Sequence, residues 1–161
     1  MRAVNILGID PGIARTGWGI IHYDSNSSVA LAFDCIETKK NLAPESRLED
    51  LYTSLKKILK KWRPKEAAVE KLFFNTNAKT ALAVGEARGV TLLALKQEAI
   101  PVSQYTPLEV KMAVSGYGRA DKHQVELMVK MLLNLKVIPS PDDVTDALAV
   151  AITHGVIKKP K

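Results

Sequence analysis

Apolar residues fall along this chain in two rhythms, and the changes of rhythm divide it into elements. From Val4 to Asp10, Thr16 to Tyr23 and Val29 to Glu37 they form short runs bounded by turn formers, the pattern of β-strands. Pro11-Gly12 ends the first run and Asp24-Ser25-Asn26-Ser27 separates the second from the third, which predicts an antiparallel meander. Leu48, Leu51, Tyr52, Leu55, Ile58, Leu59 and Trp62 then recur at helical spacing between Pro44-Glu45 and Pro64, predicting one amphipathic helix. The run Glu66 to Glu70 follows as a short strand. With a helix before it, the return is a crossover, which pairs this strand parallel to the first.

The stretch from Asn75 to Glu98 is rich in Ala, Leu and Val without proline, and predicts a long helix. Within it Gly85 and Gly89 each cost about 1 kcal/mol relative to alanine, and their spacing admits another backbone closely. Such a face serves either a subunit contact or packing on the chain's own sheet. A strand is expected from Ile100 to Tyr105. Thr106-Pro107-Leu108-Glu109 then combines an N-cap, a proline at the first helical position and a capping box. The helix that starts there carries Lys111 and runs into Ser115-Gly116-Tyr117-Gly118-Arg119, followed by Asp121, Lys122 and a further helix through Leu133. Ser140-Pro141 opens the last helix, in which Asp142, Asp143 and Asp146 precede the apolar run Ala147 to Ile152.

Acids therefore recur where apolar segments end. Asp10 closes the first strand beside a glycine-bearing loop, and Glu70 closes the fourth. Taken singly, Asp10 reads as a turn cap and Glu70 as a solvated edge residue. On neighbouring parallel strands, both would stand in the crevice beyond the carboxyl ends, where open α/β sheets bind ligands. In the last helix, Asp142 and Asp143 suit the first turn, where the dipole favours a carboxylate by about 0.3–1 kcal/mol. At about 100° per residue, Asp143 and Asp146 share a face with Ala147 and Val150, the stripe directed at the sheet. Asp142 also lies at helical spacing from Asp146. Clustered carboxylates repel and are costly to desolvate unless a cation or hydrogen bonds compensate. With one cysteine and three scattered histidines, the donors are oxygens and the implied cation is hard, Mg²⁺ or Mn²⁺.

Composition narrows the setting. At 161 residues, 47% of them hydrophobic, the chain can bury one core and is short for two ordinary domains. We expect one domain over residues 1–157 and a short basic tail over 158–161. A net charge of +6 favours a polyanionic partner such as nucleic acid. Lys111, Arg119 and Lys122 flank one glycine-bearing loop, either as a phosphate-contacting patch or as a solvated charged face. The lone Cys35 excludes an intramolecular disulfide and a cysteine-rich zinc site, and reads as a core thiol in a reducing compartment. No apolar run approaches the roughly 20 residues of a membrane span, and the start lacks a signal-peptide pattern. The expectation is a soluble, cytoplasmic protein.

The order of elements resembles the ribonuclease H-like fold, an α/β architecture whose mixed five-stranded sheet has three antiparallel strands, then parallel ones, flanked by helices. More closely, the chain resembles the RuvC-type Holliday junction resolvases along essentially its whole length. The residues that carry this are Gly8-Ile9-Asp10-Pro11-Gly12 with Thr16-Gly17-Trp18-Gly19, Glu70 followed by Phe73, and Gly85-Glu86-Ala87-Arg88-Gly89-Val90. Lys111, Lys122 and the closing Asp143-Val144-Thr145-Asp146-Ala147-Leu148-Ala149 complete it.

The resemblance implies a structure-selective endonuclease that resolves four-way (Holliday) DNA junctions by paired symmetric nicks, in homologous recombination and DNA repair. Its pattern Asp-x-x-Asp-Ala-Leu-Ala selects Asp143 over Asp142. It implies two Mg²⁺ ions, with Mn²⁺ as the alternative, held by Asp10, Glu70, Asp143 and Asp146, with Lys122 beside them in catalysis. Phe73, Lys111, Arg119, Lys122, Lys79 and Arg88 form the expected DNA-contacting set, Phe73 as a wedge against unpaired bases, while one of the adjacent pair Phe73 and Phe74 reads as an ordinary core aromatic. A C2 homodimer is expected to match the junction's symmetry through the Gly85/Gly89 helix, with a junction-binding protein and a branch-migration motor as partners. Two other readings compete. Gly8 to Gly17 resembles the first phosphate-binding hairpin of actin- or sugar-kinase-like ATPases, but the chain is short for their two nucleotide-clamping domains. A non-catalytic nucleic-acid-binding module would need the basic charge but not the acids.

Overall fold

The computed structural model describes residues 3–71 and 78–158. The meander forms from β1 (Val4–Asp10), β2 (Arg15–Tyr23) and β3 (Ser28–Glu37), paired antiparallel. Asp24 makes the β2–β3 turn by accepting the amides of Asn26 at 2.7 Å and Ser27 at 2.9 Å. Helix α1 (Pro44–Trp62) returns the chain to β4 (Glu66–Glu70), which lies parallel to β1. After α2 (Ala78–Gln97) comes β5 (Val102–Tyr105), parallel to β4, giving the strand order β3-β2-β1-β4-β5. Helices α3 (Pro107–Ser115), α4 (Lys122–Leu132) and α5 (Asp142–Ile157) follow. This is the mixed five-stranded architecture that the resemblance implies.

Alternation along the strands splits the core between the two faces of the sheet. On one face Leu7, Ile9, Ile20 and Val69 meet Leu51, Leu55 and Leu59 of α1 and Ala87, Ala94 and Leu95 of α2. On the other, Ile6, Ile21 and Ala68 meet α5, with Val110 and Val114 of α3 and Val125 and Val129 of α4 behind. Each fully buried leucine of α1 contributes roughly 1.5–3 kcal/mol over its exposed state, so the helix is held by this one stripe. Pro44 at its first turn and Arg63 in the left-handed region after Trp62 mark its ends.

Strand β5 starts at Val102, not at the expected Ile100, because the Ile100 amide is taken by the end of α2. Ala99 adopts φ 55° and the Ile100 amide turns back to the Leu95 carbonyl at 3.1 Å, closing the helix. The expected first residues of α2, 75–77, lie outside the described residues, as do Phe73, Phe74 and tail residues 159–161. Gly85 and Gly89 do not pack on the sheet; an added Cβ at either meets nothing within 4 Å, and Leu82 and Leu93 on the same helix are also exposed.

Helix α5 settles the position of everything that follows. It is buried from Val144 through Gly155 except for half-buried Asp146, and it lies directly on β1 and β2. Two glycines permit that approach. A Cβ on Gly8 would come within 1.9 Å of the Ala147 carbonyl oxygen, and one on Gly17 within 2.0 Å of the Asp143 carbonyl oxygen. With hydrogen there instead, the helix backbone rests on the strand backbone, and its first turns arrive at the end of β1.

Candidate active site

Asp10 and Glu70 end adjacent parallel strands at one level, since Ile9 pairs in register with Val69. The turn after Asp10 is fixed by its own side chains. The Thr16 hydroxyl donates to the Gly12 carbonyl at 2.7 Å, and the Gly12 amide donates back to that hydroxyl at 3.2 Å. Thr38 ties the same loop to β3 through the Ile13 and Ala14 carbonyls. Opposite stand Asp143 and Asp146, which α5 presents one turn apart because its backbone is seated on Gly17.

The four carboxylates act on one another. Burial first, and then the charges of Asp146, Glu70 and Asp143, push the Asp10 carboxyl up to about 8. Burial raises Asp146 to about 6, and burial followed by the charge of Asp146 also raises Glu70. Asp142 behaves differently. Its exposed carboxylate is ion-paired with Lys122 and held below the usual carboxylate range by that hydrogen bond. The charge of Asp143 acts on Asp10, and the charges of both Asp142 and Asp143 act on Asp146.

Among the described residues, no group of three His, Cys, Asp or Glu side chains is arranged to hold a metal ion outright. Two cations stand among the acids instead. The Lys122 ammonium lies 3.6 Å from Asp146 as well as against Asp142, and the Arg15 guanidinium lies 3.8 Å from Asp143. The donor set still fits a hard divalent ion. It is all oxygen, it is partly desolvated, and burial together with the neighbouring acids pushes the Asp10 carboxyl up to about 8.

The expected DNA-contacting residues separate into groups. Lys122 opens α4 behind the capping box of Asp121 and Gln124, so its place over the acids is set by a helix start. Lys111, half-buried on α3, is near enough for its charge to act on Glu70. Arg119 is exposed in the α3–α4 loop and Lys79 is exposed in the first turn of α2. Arg88 is engaged with the protein itself, donating to the Glu70 backbone carbonyl at 2.7 Å and to the Gln104 side chain. Nothing in the hydrophobic pattern singles out Arg15 or the Thr16 hydroxyl; a cation within the loop that follows Asp10 is the one available signal. A cleft of about 410 Å³ runs from Gly12–Arg15 to Thr80 and Val84 of α2, floored by Asp142 and Asp143. A larger cavity, about 590 Å³, lies by Arg63 and Ala99 where β4 and β5 begin, at the other end of the sheet from the acids.

Comparison with known proteins matches residues 6–154 to the family described as crossover junction endodeoxyribonuclease RuvC. A relative of that name from Desulforamulus reducens is 55% identical over 150 residues, covering 93% of this chain and 92% of its own. Another, from Pelotomaculum thermopropionicum, is 54% identical over the same shares. A solved structure of RuvC from Thermus thermophilus, in complex with a Holliday junction substrate, is 34% identical with a TM-score of 0.91 and covers 95% of this chain and 93% of its own.

Proposed function

Since the chain belongs to the RuvC family of crossover junction endodeoxyribonucleases, we propose that Asp10, Glu70, Asp143 and Asp146 are the carboxylates with which it cuts DNA junctions. The protein is a Holliday junction resolvase, a nuclease of a family that depends on divalent metal. The observation that supports the assignment is the half-buried Asp10 carboxyl, pushed up to about 8 by desolvation and by the three other acids. A partly desolvated cluster of four acids is suited to cations and poorly suited to stabilising a fold by itself.

Two Mg²⁺ ions held by these four residues would supply the charge that activates a water and stabilises the departing 3′ oxygen of the phosphodiester. The chain's own part is geometry. The parallel ends of β1 and β4 place Asp10 and Glu70 side by side, and the close seating of α5 brings Asp143 and Asp146 to them. Lys122, held from outside by Asp142, brings an ammonium to the edge of the cluster, where a scissile phosphate needs a positive neighbour. Lys111 and Arg119 hold neighbouring phosphates. The cleft along α2 supports a path for one strand beside Asp143.

The symmetric nicking reading calls for a C2 homodimer, and the face of α2 with Gly85, Gly89, Leu82 and Leu93 is the surface assigned to it. Gly89→Arg should then sediment as a monomer with an unchanged melt; a persisting dimer would move the interface elsewhere. Phe73 is the assigned wedge at the crossover. Its alanine variant should lose the signal of a fluorescent adenine analogue at the crossover, and an unchanged signal would remove it from that role. A junction-binding protein and a branch-migration motor complete the reading, tested by whether either speeds cutting.

The deciding experiment is cutting of a synthetic mobile four-way junction by Asp10→Asn in Mg²⁺, with binding measured in parallel. The variant should lose cutting by more than 1,000-fold and retain junction binding, which tightens as repulsion of phosphate falls. Equal loss of both in a folded variant would overturn the assignment.

A further inference from the structure

Arg88 stands on α2, yet its guanidinium reaches the far side of the helix–sheet boundary and ends on the last residue of β4. One of its nitrogens donates to the Glu70 backbone carbonyl at 2.7 Å and another to the side-chain oxygen of Gln104 on β5. The peptide that joins Glu70 to Lys71 is thus gripped at both ends. Its carbonyl accepts from Arg88, and its N–H, belonging to Lys71, donates to the Tyr105 carbonyl at 2.7 Å. Beyond Val69 the ladder to β1 has run out, so without Arg88 that carbonyl would lose its partner at a partly buried strand end.

A fixed peptide plane fixes the Cα–Cβ direction of the residue before it, and here that residue is Glu70. A guanidinium suits the task because its planar fork meets two acceptors at once, which an ammonium on a flexible stem does not. Burial has already lowered the proton affinity of Arg88, a sign that the charge has been drawn out of water to make these contacts.

We propose that Arg88 is a positioning residue for cleavage: by clamping the Glu70–Lys71 peptide against Gln104 it aims the Glu70 carboxylate at the metal site, and it is not a DNA contact. The inference rests on the reading of Glu70 as a metal ligand, so Glu70→Gln serves as the reference. That variant must lose cutting for the clamp to matter.

The test uses the full-length protein and a synthetic four-way junction. Single-turnover cutting is measured at saturating protein across a Mg²⁺ series, and junction affinity is measured in Ca²⁺. Mn²⁺ binding without DNA is followed by the electron paramagnetic resonance signal of the free ion. Arg88→Ala should cut about 10- to 100-fold more slowly at saturation, since a misplacement near 1 Å costs about that much. Its half-maximal Mg²⁺ should rise several-fold, its Mn²⁺ affinity should fall, and its junction affinity should stay within twofold of the parent. Gln104→Ala, which removes one arm of the clamp at an exposed position, should move the same quantities less far. Arg88→Lys keeps the charge and one donor and should recover only part of the rate.

A phosphate contact would give the opposite pattern. Junction affinity would fall, the saturated rate and the metal dependence would stay parental, and lysine would substitute fully; that result overturns the proposal. If Arg88→Ala does not fold, Gln104→Ala and Arg88→Lys carry the test, and parental metal binding in both also overturns it. If Glu70→Gln cuts like the parent, the reading of the acids fails instead.

Discussion

Gly17→Ala adds one methyl group at the point where α5 touches β2. Its Cβ would lie 2.0 Å from the Asp143 carbonyl oxygen, 2.3 Å from the carbonyl carbon and 2.9 Å from the Val144 nitrogen. Non-bonded atoms sit near 3.5 Å apart, so the first turn of α5 must retreat by roughly 1–1.5 Å. All three contacts are backbone, and no side-chain rotation relieves them. Overpacking of this kind costs about 1–3 kcal/mol, which at about 2–4 °C per kcal/mol in a chain of this size lowers Tm by roughly 2–12 °C. Asp143 is carried outward with the turn, and a displacement near 1 Å at a reacting centre costs about 100-fold in rate. The assay is junction nicking at saturating protein and Mg²⁺, alongside a thermal melt. Gly85→Ala is the control for the melt alone: its Cβ meets nothing within 4 Å in its own chain, so the melt should rise by up to the equivalent of about 1 kcal/mol. A Gly17→Ala protein that melts and cuts like the parent would show that α5 is not positioned by that contact.

Asp143→Asn should cripple cutting while Asp142→Asn retains most of it, because only Asp143 acts on the Asp10 carboxyl and Asp142 is turned to Lys122. Comparable rates in the two would refute the choice of helix face. Without metal, the native state keeps a proton on Asp10 up to about pH 8 and on Asp146 up to about 6, whereas the unfolded chain releases both near 4. The native state therefore holds more protons across that window, and stability in chelator should fall as pH rises from about 4 to 8. Melts at stepped pH check this, with Mg²⁺ raising Tm more at pH 8 than at pH 6 and Asp10→Asn flattening the profile. A Tm that climbs through the window would sink the electrostatic account. Lys122→Ala should lower the saturated cutting rate more than junction affinity; full rate at saturation would reduce it to a binding contact.

The sheet was legible because its strands end in unambiguous turn chemistry, and because a helix between β1 and β4 leaves parallel pairing as the short solution. The acids were legible for a related reason: carboxylates at the ends of apolar runs have few structural explanations once they share a crevice. Helical phase did not separate Asp142 from Asp143, since both lie near enough to one turn from Asp146. Their surroundings differ through contacts distant in sequence, Lys122 pairing with Asp142 and the Asp143 backbone resting on Gly17. The start of β5 is not legible in the sequence, because a non-glycine residue, Ala99, adopts the left-handed closing conformation, which composition does not reveal. Arg88 carried no local sign of its inward role, because its acceptors are a backbone carbonyl 18 residues earlier and a glutamine 16 residues later.

Helix α5 is tied at its other end as well. His154 is bonded to the Tyr105 hydroxyl at 2.8 Å and to Glu66 at 2.6 Å, and Lys158 reaches Glu66 at 3.2 Å. A helix buried along most of its length and fastened at its last turn has no cheap way to open alone, so its amides should exchange with deuterium only through global unfolding. Two of the four acids ride on it. The site then belongs to the most slowly exchanging unit of the molecule, and heat should remove activity and structure in one step, with no folded but inactive state between them.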